Sequence, residues 1–116
     1  MLVLRIGVFE PRLAQLFLAR GVRSGAFVTA CNPGSRLTSA ADNRARRLAL
    51  EDLLRAQGWP FLAGEGVHPA GGWPAEASCF ILGVPCDLAQ DLARRFGQNA
   101  IVWCGPDAVP QLLLLR

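Results

Sequence analysis

FLAGEGVHPAGGWPAEASCFILGV, residues 61–84, is the stretch whose reading decides the fold. Its two ends read as strands: Phe61–Val67, weakened by Gly64 and Gly66, and Ser78–Val84, the strongest strand pattern in the chain. The connection between them, His68–Ala77, is rich in Gly and Pro and shows no helical period. Strands joined without a helix pair as an antiparallel hairpin, because a parallel pair needs a long crossover. From residue 26 onward the elements read β-α-β-β-α-β followed by one more strand, and two topologies fit that order. A doubly wound sheet is mostly parallel; the split β-α-β (ferredoxin-like) arrangement is antiparallel with its helices on one face. The hairpin selects the second. We expect an α+β fold with a mostly antiparallel sheet, an N-terminal strand-helix extension and an extra C-terminal strand, in a single domain over residues 1–116.

The flanking segments extend this reading in both directions. Ala26–Ala30 (AFVTA) is a strand, and Cys31–Arg36 (CNPGSR) is the turn after it. Ser39-Ala-Ala-Asp42 has the form of a capping box and starts the longest helix, which ends at Gly58. At 100° per residue Leu50, Leu53 and Leu54 share one face of that helix, and Asn43 falls in the same arc. An amide on an apolar stripe must find partners or remain desolvated at a cost. Asp87 with Gln90 suggests a second cap, and Leu88, Leu92 and Phe96 line a helix that stops at Gly97. Ala100–Cys104 (AIVWC) is a strand, Gly105-Pro106-Asp107 a turn, and Gln111–Leu115 a last strand paired with it as a hairpin. At the other end, Leu2–Val8 reads as a strand. Glu10-Pro11 opens a helix with Leu13, Leu16 and Phe17 on one face, closed by Gly21. The pattern does not dictate how residues 1–25 dock.

Composition narrows the functional classes. Among 116 residues there are twelve Arg and no Lys, no Tyr, and three each of Ile and Asn, with a net charge of +3. That bias resembles coding in a GC-rich bacterial genome, so the use of Arg alone is no sign of phosphate recognition. The densest basic run, Arg44, Arg46 and Arg47 with Arg36 nearby, is followed by Glu51 and Asp52 and reads as a solvated helix face. No aromatic strand, GXXG loop or recognition helix accompanies it, which counts against nucleic acid as a partner. No signal peptide is visible, and no apolar run approaches the ~18–20 residues that span a bilayer. We therefore expect a cytoplasmic protein with no membrane partner. Cys31, Cys79, Cys86 and Cys104 form no C-x-x-C pair and have no His at zinc spacing. No metal and no cofactor is expected, and Cys31, Cys79 and Cys104, in apolar strand-like runs, read as buried inert thiols.

The split topology has one functional consequence. It sets AFVTA antiparallel to both SCFILGV and AIVWC, so the end of the first strand shares an edge with the beginnings of the other two. That edge collects Asn32, Ser35 and Arg36 after the first strand, Glu76 and Ser78 at the second, Gln98 and Asn99 at the third, and Asn43 and Arg44 from the start of the long helix.

The same segments carry a resemblance. TACNPGSR, Asn43-Arg44 with Leu50 and Leu54, Trp73-Pro-Ala-Glu76-Ala-Ser78 and Phe96-Gly97-Gln98-Asn99-Ala100-Ile-Val-Trp103 resemble domain-of-unknown-function family 3293, over roughly residues 26 to 104. This family consists of short bacterial proteins with no established activity, so the resemblance implies no reaction. The chain departs from the family pattern at Cys31, where an aromatic residue is favoured.

Two readings of the polar edge follow. In the first it is a small pocket for a polar or anionic ligand: Asn32, Asn43 and Gln98 hydrogen-bond it, Arg36 or Arg44 holds an anion beside the helix N-terminus, and Glu76 is an acceptor or base, the one weak catalytic candidate. In the second the amides pin a loop, Glu76 pairs with an Arg, and the protein is a non-catalytic interaction or regulatory domain that uses a sheet edge or the Arg-rich helix face. His68 stands in a Pro/Gly loop without a Ser or Cys partner, and Asn-Pro-Gly-Ser is no Walker loop. Trp59, Trp73 and Trp103 read as anchors of core or loop. No reaction and no oligomeric state is readable.

Overall fold

The structure, a computed structural model, describes residues 2–68 and 70–115. Its elements are α1 (Pro11–Arg20), β1 (Gly25–Thr29), α2 (Ala40–Gln57), β2 (Phe61–Gly66), β3 (Glu76–Leu82), α3 (Cys86–Arg95), β4 (Ala100–Cys104) and β5 (Pro110–Leu114), with a single 3-10 turn at Pro33–Ser35. The five strands form one sheet in the order β2-β3-β1-β4-β5, and every neighbouring pair is antiparallel. The hairpin that decided the topology is present, with Phe61 opposite Ile81 and Gly66 opposite Glu76. β3 begins at Glu76, so Glu76 and Ala77 are strand residues rather than connection. Pro69, in that connection, lies outside the described residues.

Local chemistry sets the helix ends. Glu10 caps α1 by accepting from Arg12 N at 2.9 Å, and Ser39 caps α2 by accepting from Asp42 N at 3.0 Å. Gly21 and Gly58 close the two helices in the left-handed conformation, where an L side chain is strained. The expected cap of α3 is not formed. Pro85 occupies the N-cap without a side-chain bond, and Asp87, two residues further on and already inside the helix, accepts from Leu88 N. The buried stripe of α3 is Ala89, Leu92 and Ala93, whereas Leu88 is exposed. Two alanines let the helix lie close on β1 and β4, and that close approach turns Leu88 outward.

The faces of the sheet follow the two-residue alternation of its strands. On one face Ala26, Val28, Cys79, Ile81 and Ile101 meet Leu50 and Leu54 of α2 and the small stripe of α3. On the other, Phe80, Leu82 and Cys104 meet Leu13 and Phe17 of α1, with the Phe17 and Phe80 rings stacked at 6.4 Å. Gly25 lies beneath Phe80, and a Cβ there would run into the ring. Burial pushes the Cys79 thiol up to about 11, with Glu51 adding to the rise, and pushes Cys104 up to about 12. Cys31 is buried as well, and Cys86 is half-buried.

The N-terminal strand expected at Leu2–Val8 is absent. Gly7 N donates to Pro110 O at 2.7 Å and Glu10 N to Ala108 O at 3.1 Å, but Val8 N turns back to Arg5 O at 3.1 Å. That turn, with Gly7 at φ 78°, breaks the extended path before a ladder can form. Leu2 and Leu4 pack with α1 on the second core. No helix among the described residues is long and apolar enough to cross a membrane.

Candidate functional site

The site grows from the turn that follows β1. Thr29 Oγ1 donates to Ala77 O at 2.8 Å and accepts from Cys31 N at 3.1 Å, fastening the strand end to β3. The next residue, Asn32, takes φ 48°, a left-handed conformation that Asn tolerates better than most side chains. Its backbone N–H donates to Asn43 Oδ1 at 2.9 Å, and Asn43 Nδ2 returns a bond to Asn32 Oδ1 at 3.0 Å. Thr38 joins both amides: its N–H donates to Asn32 Oδ1 at 2.9 Å, its hydroxyl to Asn43 Oδ1 at 2.6 Å. Backbone N–H groups can meet only acceptors, so these contacts fix which way both amides face. Asn32 Nδ2 then donates to Glu76 Oε2 at 2.8 Å, an oxygen that also accepts from Trp73 Nε1 at 3.3 Å. Asn32 is only 5% exposed, and its side-chain oxygen and nitrogen are both engaged within the protein.

A second set of bonds ties the same turn to the connection between α3 and β4. Gln98 Nε2 donates to Cys31 O at 3.0 Å and to Phe96 O at 3.2 Å. Asn99 Nδ2 donates to Ser35 Oγ at 2.8 Å, and Gly34 N to Gly97 O at 2.7 Å. Gly97, at φ 70°, passes so near Pro33 that a Cβ would stand 2.8 Å from the proline Cβ. Ser78 is buried and donates to Glu76 O at 3.1 Å. All three regions assigned to the shared edge therefore meet at the turn.

Beside this network a solvent-open cleft of about 400 Å³ lies between the turn, the first turns of α2 and the approach to β3. Asn32, Thr38, Asn43, Arg44 and Arg47 supply its polar lining, and Leu37, Ala40, Pro74 and Ala75 are among its apolar walls. Of the nine residues expected at a binding site, Asn32, Asn43 and Arg44 line it. Ser35, Arg36, Glu76, Gln98 and Asn99 do not, and Ser78 lines an adjoining depression with Arg47, Glu51 and Glu65.

Thr38, Arg47 and Trp73 are site residues that the sequence reading missed. For Arg47 a signal existed: it follows Asn43 by four residues, which places both on one side of a helix. Arg47 Nη1 pairs with the buried Glu51 at 3.0 Å, and Arg55 reaches the other oxygen of Glu51 at 3.5 Å. Arg44 is exposed. Arg46, between the two lining arginines, buries its Nε without a hydrogen-bond partner among the described residues and does not line the cleft.

Two guanidinium groups beside the start of an eighteen-residue helix make a positive environment, since the first turn of a helix favours negative charge. Cys31 reaches the cleft wall with no titratable base beside it in the lining, and His68 stands in an exposed loop. Among the described residues no group of three or more His, Cys, Asp or Glu side chains is placed to share a metal ion.

Residues 28–101 match the sequence model of a family described as Protein of unknown function (DUF3293). No curated protein and no solved structure matches the chain. The matched stretch runs from within β1 to within β4, and α1 and β5 fall outside it. It holds the turn, both amides, Glu76 and the whole cleft, and it covers well over half of the chain, which thus belongs to DUF3293, a family of unknown function.

Proposed function

We propose that the protein binds a small anionic molecule in the cleft, with the negative group beside Arg44 and Arg47 and the less polar part against Leu37, Ala40 and Pro74. One observation carries this reading: among the described residues the cleft lining contains two arginines and no carboxylate. Glu51 offsets part of the charge on Arg47 from outside the lining, while Arg44 is exposed. The amides support the site rather than contact the ligand, because Asn32 and Asn43 already bond each other, Thr38 and Glu76. Glu76, held by Asn32 and Trp73, fixes the wall that carries Pro74 and Ala75. No reaction is assigned.

The test is a thermal-shift and calorimetric screen with phosphate, pyrophosphate, citrate and a nucleoside monophosphate, against chloride at equal ionic strength. A ligand that binds the folded state alone stabilises it by ~2.7 kcal/mol at a hundredfold excess over Kd, so a true ligand raises Tm in a saturable way. Arg44→Glu, at an exposed position, should abolish the shift while leaving the unliganded Tm near that of the parent. If no anion moves Tm, or if Arg44→Glu responds as the parent does, the reading is wrong.

A further inference from the structure

The two edges of the sheet are finished differently. On β2 the edge is interrupted by Gly64 and Gly66 and carries Glu65, and the Arg55 guanidinium stands 5.4 Å over the Phe61 ring. Such charges and breaks are how edge strands avoid unwanted pairing. By contrast β5 reads Pro-Gln-Leu-Leu-Leu, with no charged residue from Ala108 to Leu115.

Hydrogen bonding shows which groups of β5 are left over. Leu115 N donates to Asn99 O at 2.8 Å, so Leu115, Leu113 and Gln111 turn their backbone groups toward β4. Leu112 and Leu114, in alternation, point their N–H and C=O outward. The same two residues carry the exposed apolar side chains of the strand, 54% and 73% accessible, while Leu113 packs into the core. The N-terminal segment occupies this edge at Pro110, through Gly7 N. No described backbone group bonds the outward groups of Leu112 and Leu114.

We propose that β5 pairs with β5 of a second copy of this chain, antiparallel about a two-fold axis at Leu113, joining two five-stranded sheets into one. In that register Leu112 of each copy faces Leu114 of the other. The two facing pairs exchange four N–H···O=C bonds, and four leucine side chains meet on one face of the joined sheet. A second copy is the occupant because the edge is self-complementary: a two-fold axis at Leu113 carries each outward donor onto an outward acceptor. Charge agrees. A molecule of net charge +3 repels its copy across most symmetric contacts, and the residues of β5 themselves add no charge to such a contact. A charged partner would find nothing there to pair with. An edge of this length with two leucines buries less than the ~1,200 Å² of a standard interface, so the dimer is a reversible one with a micromolar or weaker Kd.

Sedimentation equilibrium from about 5 µM to about 500 µM tests the proposal. The weight-average mass should rise from 12.5 kDa toward twice that value and no further. Leu114→Lys, and independently Leu112→Lys, should remain monomeric across the range with an unchanged circular dichroism spectrum. For the register, single variants Leu112→Cys and Leu114→Cys in a Cys86→Ser background are oxidised alone and as a mixture. The mixture should give a crosslinked dimer at several times the yield of either alone. A parent that stays monomeric at the highest concentration, a mass that rises without limit, a Lys variant that dimerises like the parent, or equal crosslinking of each Cys variant with itself overturns the proposal.

Discussion

Along its C-terminal half α2 meets the sheet through Leu50 and Leu54, both fully buried over Cys79 and Ile81; along its N-terminal half the same stripe meets an irregular turn through Asn43. The difference follows from what each half covers. A strand has already spent its backbone groups on its neighbours, so a helix over it needs only apolar surface. In the turn at Asn32–Arg36 the N–H groups of Gly34, Ser35 and Arg36 bond backbone carbonyls, but that of Asn32 bonds a side chain, and the Asn43 amide that accepts from it also donates back to Asn32 Oδ1. The aliphatic half holds α2 down and the amide half shapes the cleft.

Substitutions should separate the two halves by size and by coupling. Leu54→Ala should cost the most, about 2–5 kcal/mol in urea denaturation, as truncation of a fully buried leucine leaves a cavity. An equal loss from an amide would erase the distinction. Asn32→Ala and Asn43→Ala should each cost about 1–3 kcal/mol, since each strands the donors and acceptors of the other. The double variant should lose less than the sum by at least ~0.5 kcal/mol, because a second deletion finds the network already broken. Additive costs would mean that the two amides act separately.

The smallest effect is read with pH. The folded Cys79 and Cys104 thiols titrate near 11 and 12, above the ordinary 9.0, so their contribution is intact below pH 9. Above that the unfolded chain releases protons that the folded one keeps. Stability should therefore fall as pH rises from 9 toward 11–12, by about 1 kcal/mol per thiol at pH 10. Cys79→Ala should flatten part of this slope, and an unchanged slope would show that water reaches the packed half.

Much of the fold was legible in residues 61–84, because a helix-free connection between two strands leaves few topologies. That topology also made Asn32, Asn43, Glu76 and Gln98 neighbours before any contact was known. The cleft was less legible. Asn43 stands out on an apolar stripe, but Arg47 looks like any solvated arginine, and its place in the lining depends on where Pro74 and Ala75 come to rest. The stripe of α3 was misplaced because Leu88 and Ala89 fit the same period, and the distance of closest approach to β1 and β4 chose between them. The N-terminal segment has the short apolar run of a strand, and the reversal at Gly7 withholds the ladder.

Gly25 and α1 both lie ahead of the stretch shared with the family, and Phe80 lies inside it. The ring can lie flat on the strand only because Gly25 has no side chain, and the flat ring is what Phe17 stacks upon. The N-terminal helix thus depends on an absent methyl group on a strand it does not continue. A relative with a larger residue at that position would have to carry its first helix elsewhere or do without it.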